Sequence, residues 1–141
     1  MLEFKSKSPE ETEKFACEFS KKLAPGTVIA FFGGLGMGKT TFTKGLAEGL
    51  NAERDVSSPT FSLVNEYGGN PPLVHFDMYR INSWEDLLGT GFFDYIDMGC
   101  ILSVEWSENI ENALPENTIF IEIKNGDSED ERIIKIEGEG F

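Results

Sequence analysis

The sequence predicts an α/β domain whose mixed β-sheet has a mostly parallel centre, antiparallel edge hairpins and flanking helices. Three observations carry that expectation. Residues 27–32 are an apolar run of strand type and residues 40–50 read as a helix, so the glycine-rich stretch between them joins strand to helix. Further helical segments alternate with strand-like runs, the pattern of a parallel sheet. Two pairs of strand-like runs are separated by short turns, the pattern of antiparallel hairpins. At 141 residues the chain is long enough to bury a substantial core, and neither repeats nor low-complexity stretches divide residues 1–141.

Taken in order, Ser8-Pro9-Glu10-Glu11 starts a helix: Ser as N-cap, Pro at the first helical position, Glu reaching back from the third. Phe15, Phe19 and Leu23 then recur every fourth residue beside Ala16, giving an apolar stripe, and Pro25-Gly26 ends it. After the helix at 40–50, residues 56–60 form a polar connection with a rigid proline. Residues 61–67 alternate as a strand, with Phe61, Leu63 and Tyr67 on one side and Ser62, Val64 and Glu66 on the other. Residues 68–72 are a turn, leading into a strand at 73–76 that ends at Asp77. Ser83 begins a short helix carrying Trp84, Leu87 and Leu88, and a second helical piece covers 90–97. Residues 100–104 are a buried-type strand ending at Glu105, and 107–114 a short helix stopped by Pro115. Residues 118–123 and 132–136 alternate as strands around a charged turn, and 138–141 are expected to fray.

The stretch between the first strand and its helix is Gly33-Gly34-Leu35-Gly36-Met37-Gly38-Lys39-Thr40, which fits G-x-x-x-x-G-K-[ST], the phosphate loop of nucleoside triphosphatases. Glycines admit positive φ angles, so successive N–H groups can converge on an anion. Lys39 supplies a compact positive charge for β- and γ-phosphates, and the Thr40 hydroxyl suits Mg²⁺. The helix that follows adds its own N–H groups and dipole.

Lys and Arg number 12 against 25 Asp and Glu, a formal net charge of −13. Such a surface repels nucleic acid and anionic membrane, so the phosphate loop is a local positive site in an acidic protein. Cys17 and Cys100 sit far apart in apolar surroundings, which suggests reduced thiols of a cytosolic protein. No apolar run approaches the roughly 18 residues of a membrane span, and the first residues lack a signal-peptide core. With His75 the only histidine, a zinc cluster or a histidine triad has no material.

Mg²⁺ and water need a carboxylate near Thr40, and an α/β sheet presents its ligands at the C-terminal ends of its strands. Two strand-like runs end in an acid, at Asp77 and at Glu105, and either matches the hydrophobic-run-then-acid pattern of such sites. Thr60 either senses a γ-phosphate or simply begins a strand. Arg80 either neutralises developing charge or makes a surface ion pair. Trp106 is read as core packing; Trp84, Phe92, Phe93 and Tyr95 as core or a protein interface; and His75 as a hydrogen-bonded structural histidine. The Asn-Lys-x-Asp signature that grips guanine is missing, since residues 124–127 reverse its first pair, so ATP is the expected nucleotide.

Four separated strings resemble the TsaE family: residues 35–41, Ser58-Pro59-Thr60-Phe61 with Leu63-Val64 and Glu66-Tyr67, His75-Phe76-Asp77-Met78-Tyr79-Arg80, and Glu105-Trp106-Ser107-Glu108. The resemblance runs from Ser8 to about residue 114 and continues in pattern through the last two strands. It implies a single P-loop ATPase domain of bacterial tRNA threonylcarbamoyladenosine synthesis. By that resemblance Leu35, Gly36, Met37, Gly38, Lys39, Thr40 and Thr41 bind nucleotide, with Thr12 nearby on the N-terminal helix. Thr40 and Glu105 hold Mg²⁺, and Lys39, Asp77 and Glu105 carry the catalysis, with Thr60 in a switch-like loop. The partners it implies are TsaB and TsaD, the latter making the transfer to tRNA, so that tRNA is met only through them. Hydrolysis in the assembled complex would reset it between turnovers. Gly34 stands where the family usually has Asp, and Met37 where Ala is usual.

Two rivals are a small-molecule kinase using the same loop and a nucleotide-gated scaffold with little turnover. The kinase is disfavoured because Arg54, Arg80 and Arg132 are the only arginines and form no cluster for a phosphate-enclosing lid.

Overall fold

The computed structural model describes residues 2–32, 38–53 and 64–138. Its strands are β1 (Leu2–Ser6), β2 (Val28–Phe32), β3 (Val64–Gly69), β4 (Pro72–Asp77), β5 (Ile101–Glu105), β6 (Ile119–Asn125) and β7 (Arg132–Glu137). The helices are α1 (Pro9–Ser20), α2 (Lys39–Gly49), α3 (Trp84–Gly89) and α4 (Phe92–Asp97), with a 3-10 segment at Ser107–Ala113. All the strands join one sheet of order β1-β7-β6-β2-β5-β4-β3. β6, β2, β5 and β4 run parallel; β3, β7 and β1 pair antiparallel outside them. The expected parallel centre and antiparallel edges are both present. β1 is an addition that the sequence reading did not anticipate: a five-residue strand of mostly exposed side chains, held by its pairing to β7.

Alternation along the central strands divides the core in two. Ile29 and Phe31, Leu73, Ile101, and Ile121 and Ile123 face α1 and α2, where they meet Ala16, Phe19, Phe42 and Leu46. Val28, Val74 and Phe76, and Leu102 and Val104 face the other way, onto Met78, Leu87, Phe92 and Ile110. Phe42 is fully buried, its ring centroid 5.7 Å from Phe31, 5.8 Å from Phe19 and 6.3 Å from Phe15. A truncation of such a ring costs about 3–5 kcal/mol. Because Phe42 lies in the first turn of α2, it ties the start of that helix to the sheet.

α1 begins as expected: Ser8 Oγ accepts from the Glu11 N–H at 3.1 Å, while Glu11 Oε1 accepts from the Lys7 N–H, one residue earlier than a capping box requires. α1 and α2 pack parallel and very close. A Cβ at Gly45 would overlap Glu13 O and sit 2.6 Å from Ala16 Cβ; one at Gly49 would overlap Ser20 Oγ and sit 2.5 Å from Cys17 O. Higher numbers on one helix meet higher numbers on the other, so both helices start at the same edge of the sheet.

Two expectations are corrected in detail. The expected turn at 68–72 is tighter, because Gly69 still pairs with Pro72 and only Asn70 and Pro71 form the loop. A register shift between Glu66 and Gly68 absorbs the extra residue. The helix expected at 107–114 is a 3-10 segment interrupted at Ile110, where φ is −127°. Tertiary hydrogen bonds pin this segment: the Ser107 hydroxyl donates to Phe31 O and the Asn109 amide to Met78 O. Of the aromatic residues expected in the core or at a protein interface, Phe92 is fully buried and Trp84 is 58% exposed against Phe93. Among the described residues no helix is long and apolar enough to cross a membrane.

Candidate functional site

The four parallel strands and the two parallel helices converge on one edge. β2 ends there at Phe32 and α2 starts there at Lys39, capped by Gly38 in a left-handed conformation of φ 93°. Glycine alone adopts that conformation without strain. The first N–H groups of a helix have no intrahelical partner, so this end of α2 attracts anions. Lys39 is buried, 4% exposed, and Thr40 and Thr41 are half-buried on the same turn. Leu35, Gly36 and Met37 of the expected nucleotide loop lie outside the described residues, as do Gly34 and Thr60.

On β4 and β5 the register places Asp77 opposite Glu105 and His75 opposite Ser103. Paired residues of parallel strands point to the same face, so these four side chains all face α1 and α2. That face is apolar deeper in the sheet, at Leu73 and Ile101, and turns polar only under the start of α2. The two acids are therefore level with each other at the strand ends. Asp77 is half-buried, and its Oδ1 accepts from the Tyr79 N–H at 3.0 Å. Thr43, one turn into α2, donates to Lys39 O at 2.9 Å and lies 3.2 Å from Ser103 Oγ, stitching the helix to β5 two residues before Glu105.

Glu105 is the most constrained acid of the edge. Burial alone would push its carboxyl up, but the hydrogen bond and charge of His75, together with the Lys39 ammonium, outweigh it and hold the group below its ordinary value. The His75 imidazole, fully buried, lies with Nε2 2.7 Å from Glu105 Oε2. An ionised carboxylate only accepts, so Nε2 carries the proton and donates. The chain then turns sharply: Trp106 has φ 59°, an uncommon conformation for a non-glycine residue. Its ring lies 4.9 Å from that of Tyr79, which is 59% exposed.

Thr12 sits at the same edge, at the start of α1, fully packed and with its hydroxyl donating to Ser6 Oγ at 2.6 Å. Arg80 is exposed, and among the described residues no ion pair holds it. Arg132, counted in the sequence only as an isolated arginine, starts β7 beside Gly38: its Nε would lie 3.9 Å from a Cβ built there. Its Nη1 is held by Glu129 O and Glu131 O at 2.7 and 2.8 Å. The link from His75 to Glu105 also escaped the sequence reading. The period-two spacing of His75 with Asp77, and of Ser103 with Glu105, was the available signal, since it puts polar groups on one face of two otherwise apolar strands.

The arrangement suits a hard cation. Among the described residues no three His, Cys, Asp or Glu side chains cluster as a metal cage. Mg²⁺ asks for less, taking one or two protein oxygens and completing its shell with phosphate and water. Thr40 at the start of α2 and Glu105 and Asp77 at the strand ends could supply such oxygens.

Fold and sequence together define a single α/β domain with a seven-stranded mixed sheet and a phosphate-loop sequence pattern between β2 and α2. Residues 6–134 match the family model described as threonylcarbamoyl adenosine biosynthesis protein TsaE. The chain is 42% identical over 132 residues to the tRNA threonylcarbamoyladenosine biosynthesis protein TsaE of Bacillus subtilis, covering 92% of this chain and 82% of that protein. It is 35% identical over 119 residues to the protein of that name from Treponema pallidum, covering 84% and 88%. The crystal structure of Bacillus subtilis YdiB superposes with a TM-score of 0.79 at 36% identity, over 99% of this chain and 86% of that one. The chain belongs to the TsaE family, and the resemblance read from its four motifs is borne out.

Proposed function

We propose that this protein binds ATP with Mg²⁺ and hydrolyses it slowly as an accessory of tRNA threonylcarbamoyladenosine synthesis, accelerated by TsaB- and TsaD-like partners. The observation that carries the reading is the level pair Asp77 and Glu105 beside the buried Lys39 at the start of α2. Lys39 neutralises phosphate charge, Thr40 and Glu105 hold Mg²⁺, and Asp77 orients the attacking water. When bound, Mg²⁺ polarises the phosphoryl oxygens and offsets their developing charge. Residues 35–41 would supply the backbone cradle, and Thr12 on α1 would lie near the nucleotide. A surface of net charge −13 fits a protein that leaves the tRNA to its partners.

Turnover measured alone and with a TsaB–TsaD complex tests the reading. Low turnover alone and a rise on mixing are expected. An isolated protein already running near ~10 s⁻¹ would refute partner control. Tight ATP binding with no hydrolysis in either state would favour a nucleotide-gated scaffold instead.

A further inference from the structure

His75 is an expensive residue for its place. It is fully buried on β4, in line with Leu73 and with its ring centroid 6.4 Å from that of Tyr67. Among the described residues its Nδ1 has no hydrogen-bond partner. A buried polar atom left unmet costs about 1–3 kcal/mol, so an apolar side chain would serve the core better. What His75 does have is one short contact, Nε2 to Glu105 Oε2 at 2.7 Å, reaching diagonally across to β5, from beside Ser103 to the next residue on that face. A glutamate on its own samples several rotamers, and ordering it costs conformational entropy. Here one carboxylate oxygen is tied from beneath, and among the described residues no hydrogen bond or ion pair occupies Oε1.

We propose that His75 is a positioning residue for Glu105: its Nε2–H holds Oε2 and leaves Oε1 preset as the oxygen ligand for the divalent cation at the start of α2. This rests on the reading of Glu105 as the metal carboxylate. Outer-shell partners of this kind fix the orientation of a ligand and change metal affinity by about 10- to 100-fold when removed.

Three variants separate positioning from packing. His75→Gln places an amide N–H near the position of Nε2, His75→Asn places one near Nδ1 and out of reach of Glu105, and His75→Leu removes it. ADP affinity is measured by calorimetry in EDTA and again with Mn²⁺, and the bound Mn²⁺ is followed by electron paramagnetic resonance. The proposal expects His75→Asn and His75→Leu to lower the Mn²⁺-dependent gain in affinity by about tenfold or more, leaving affinity in EDTA unchanged, and His75→Gln to recover most of it. A purely structural histidine would move the EDTA and Mn²⁺ values together. Should His75→Leu fail to fold, the contrast between the two amides still decides. An unchanged Mn²⁺ gain in His75→Asn overturns the proposal while leaving the nucleotide reading intact. A Mn²⁺ gain that survives Glu105→Gln overturns the proposal together with the reading of Glu105 as the metal carboxylate.

Discussion

Replacing Gly45 by alanine should destabilise this protein although the site is in the middle of a helix. In an exposed helix the change gains about 1 kcal/mol, because alanine has the better propensity. At Gly45 the new methyl would sit 2.6 Å from Ala16 Cβ and overlap the Glu13 carbonyl oxygen, which is backbone and cannot rotate away. Ordinary carbon contacts lie at about 3.5–4.0 Å, so α1 would have to retreat by roughly 1 Å. Overpacking of this kind costs about 1–3 kcal/mol, leaving a net loss of as much as ~2 kcal/mol after the propensity gain. For a chain of this size that lowers Tm by several degrees, on the order of 3–8 °C. Gly89 is the matched control: it ends α3, and a Cβ there meets nothing within 4 Å, so Gly89→Ala should be neutral or stabilising. Thermal melts by circular dichroism compare the two. A higher Tm for Gly45→Ala would refute the close helix contact, and with it the account of why the starts of α1 and α2 share an edge.

Lys39→Ala should weaken ATP binding by about 10- to 150-fold with the fold intact, since a hydrogen bond to a charged group is worth about 1.5–3 kcal/mol; calorimetry beside circular dichroism checks it. Glu105→Gln should shift Mg²⁺ dependence to higher concentration and collapse hydrolysis, whereas Asp77→Asn should lose hydrolysis with a smaller change in metal affinity. Titrating Mg²⁺ against ATP-bound variants, with Trp106 fluorescence as the probe, exposes any exchange of those roles. Because the Glu105 carboxyl is held below its ordinary 4.5, it stabilises the metal-free fold fully above that pH and progressively less as pH falls through its lower folded value. Denaturant melts between pH 7 and 3 should therefore show the gap between natural protein and Glu105→Gln narrowing toward acid, and a gap independent of pH would contradict the shift.

Local rules were enough to read much of this protein. Ser8 and Ser83 cap the helices that their sequences announce, each accepting an N–H three residues on, because a cap depends only on neighbours in the chain. The family was legible for the same reason, through fixed spacings within a few residues, and so were the apolar strands that end at Asp77 and Glu105. β1 was not legible, since Leu2–Ser6 is mostly exposed and becomes a strand only by finding β7 more than a hundred residues away. The choice between Asp77 and Glu105 could not be made from spacing, because both end an apolar strand. Only the parallel register sets them level, and only the fold brings His75 to one of them and Arg132 to Gly38. Gly45 and Gly49 likewise look like weak points of a helix until α1 is laid against them. Those contacts join residues distant in sequence, and their energies depend on sheet order and helix approach, which no local pattern of side chains specifies.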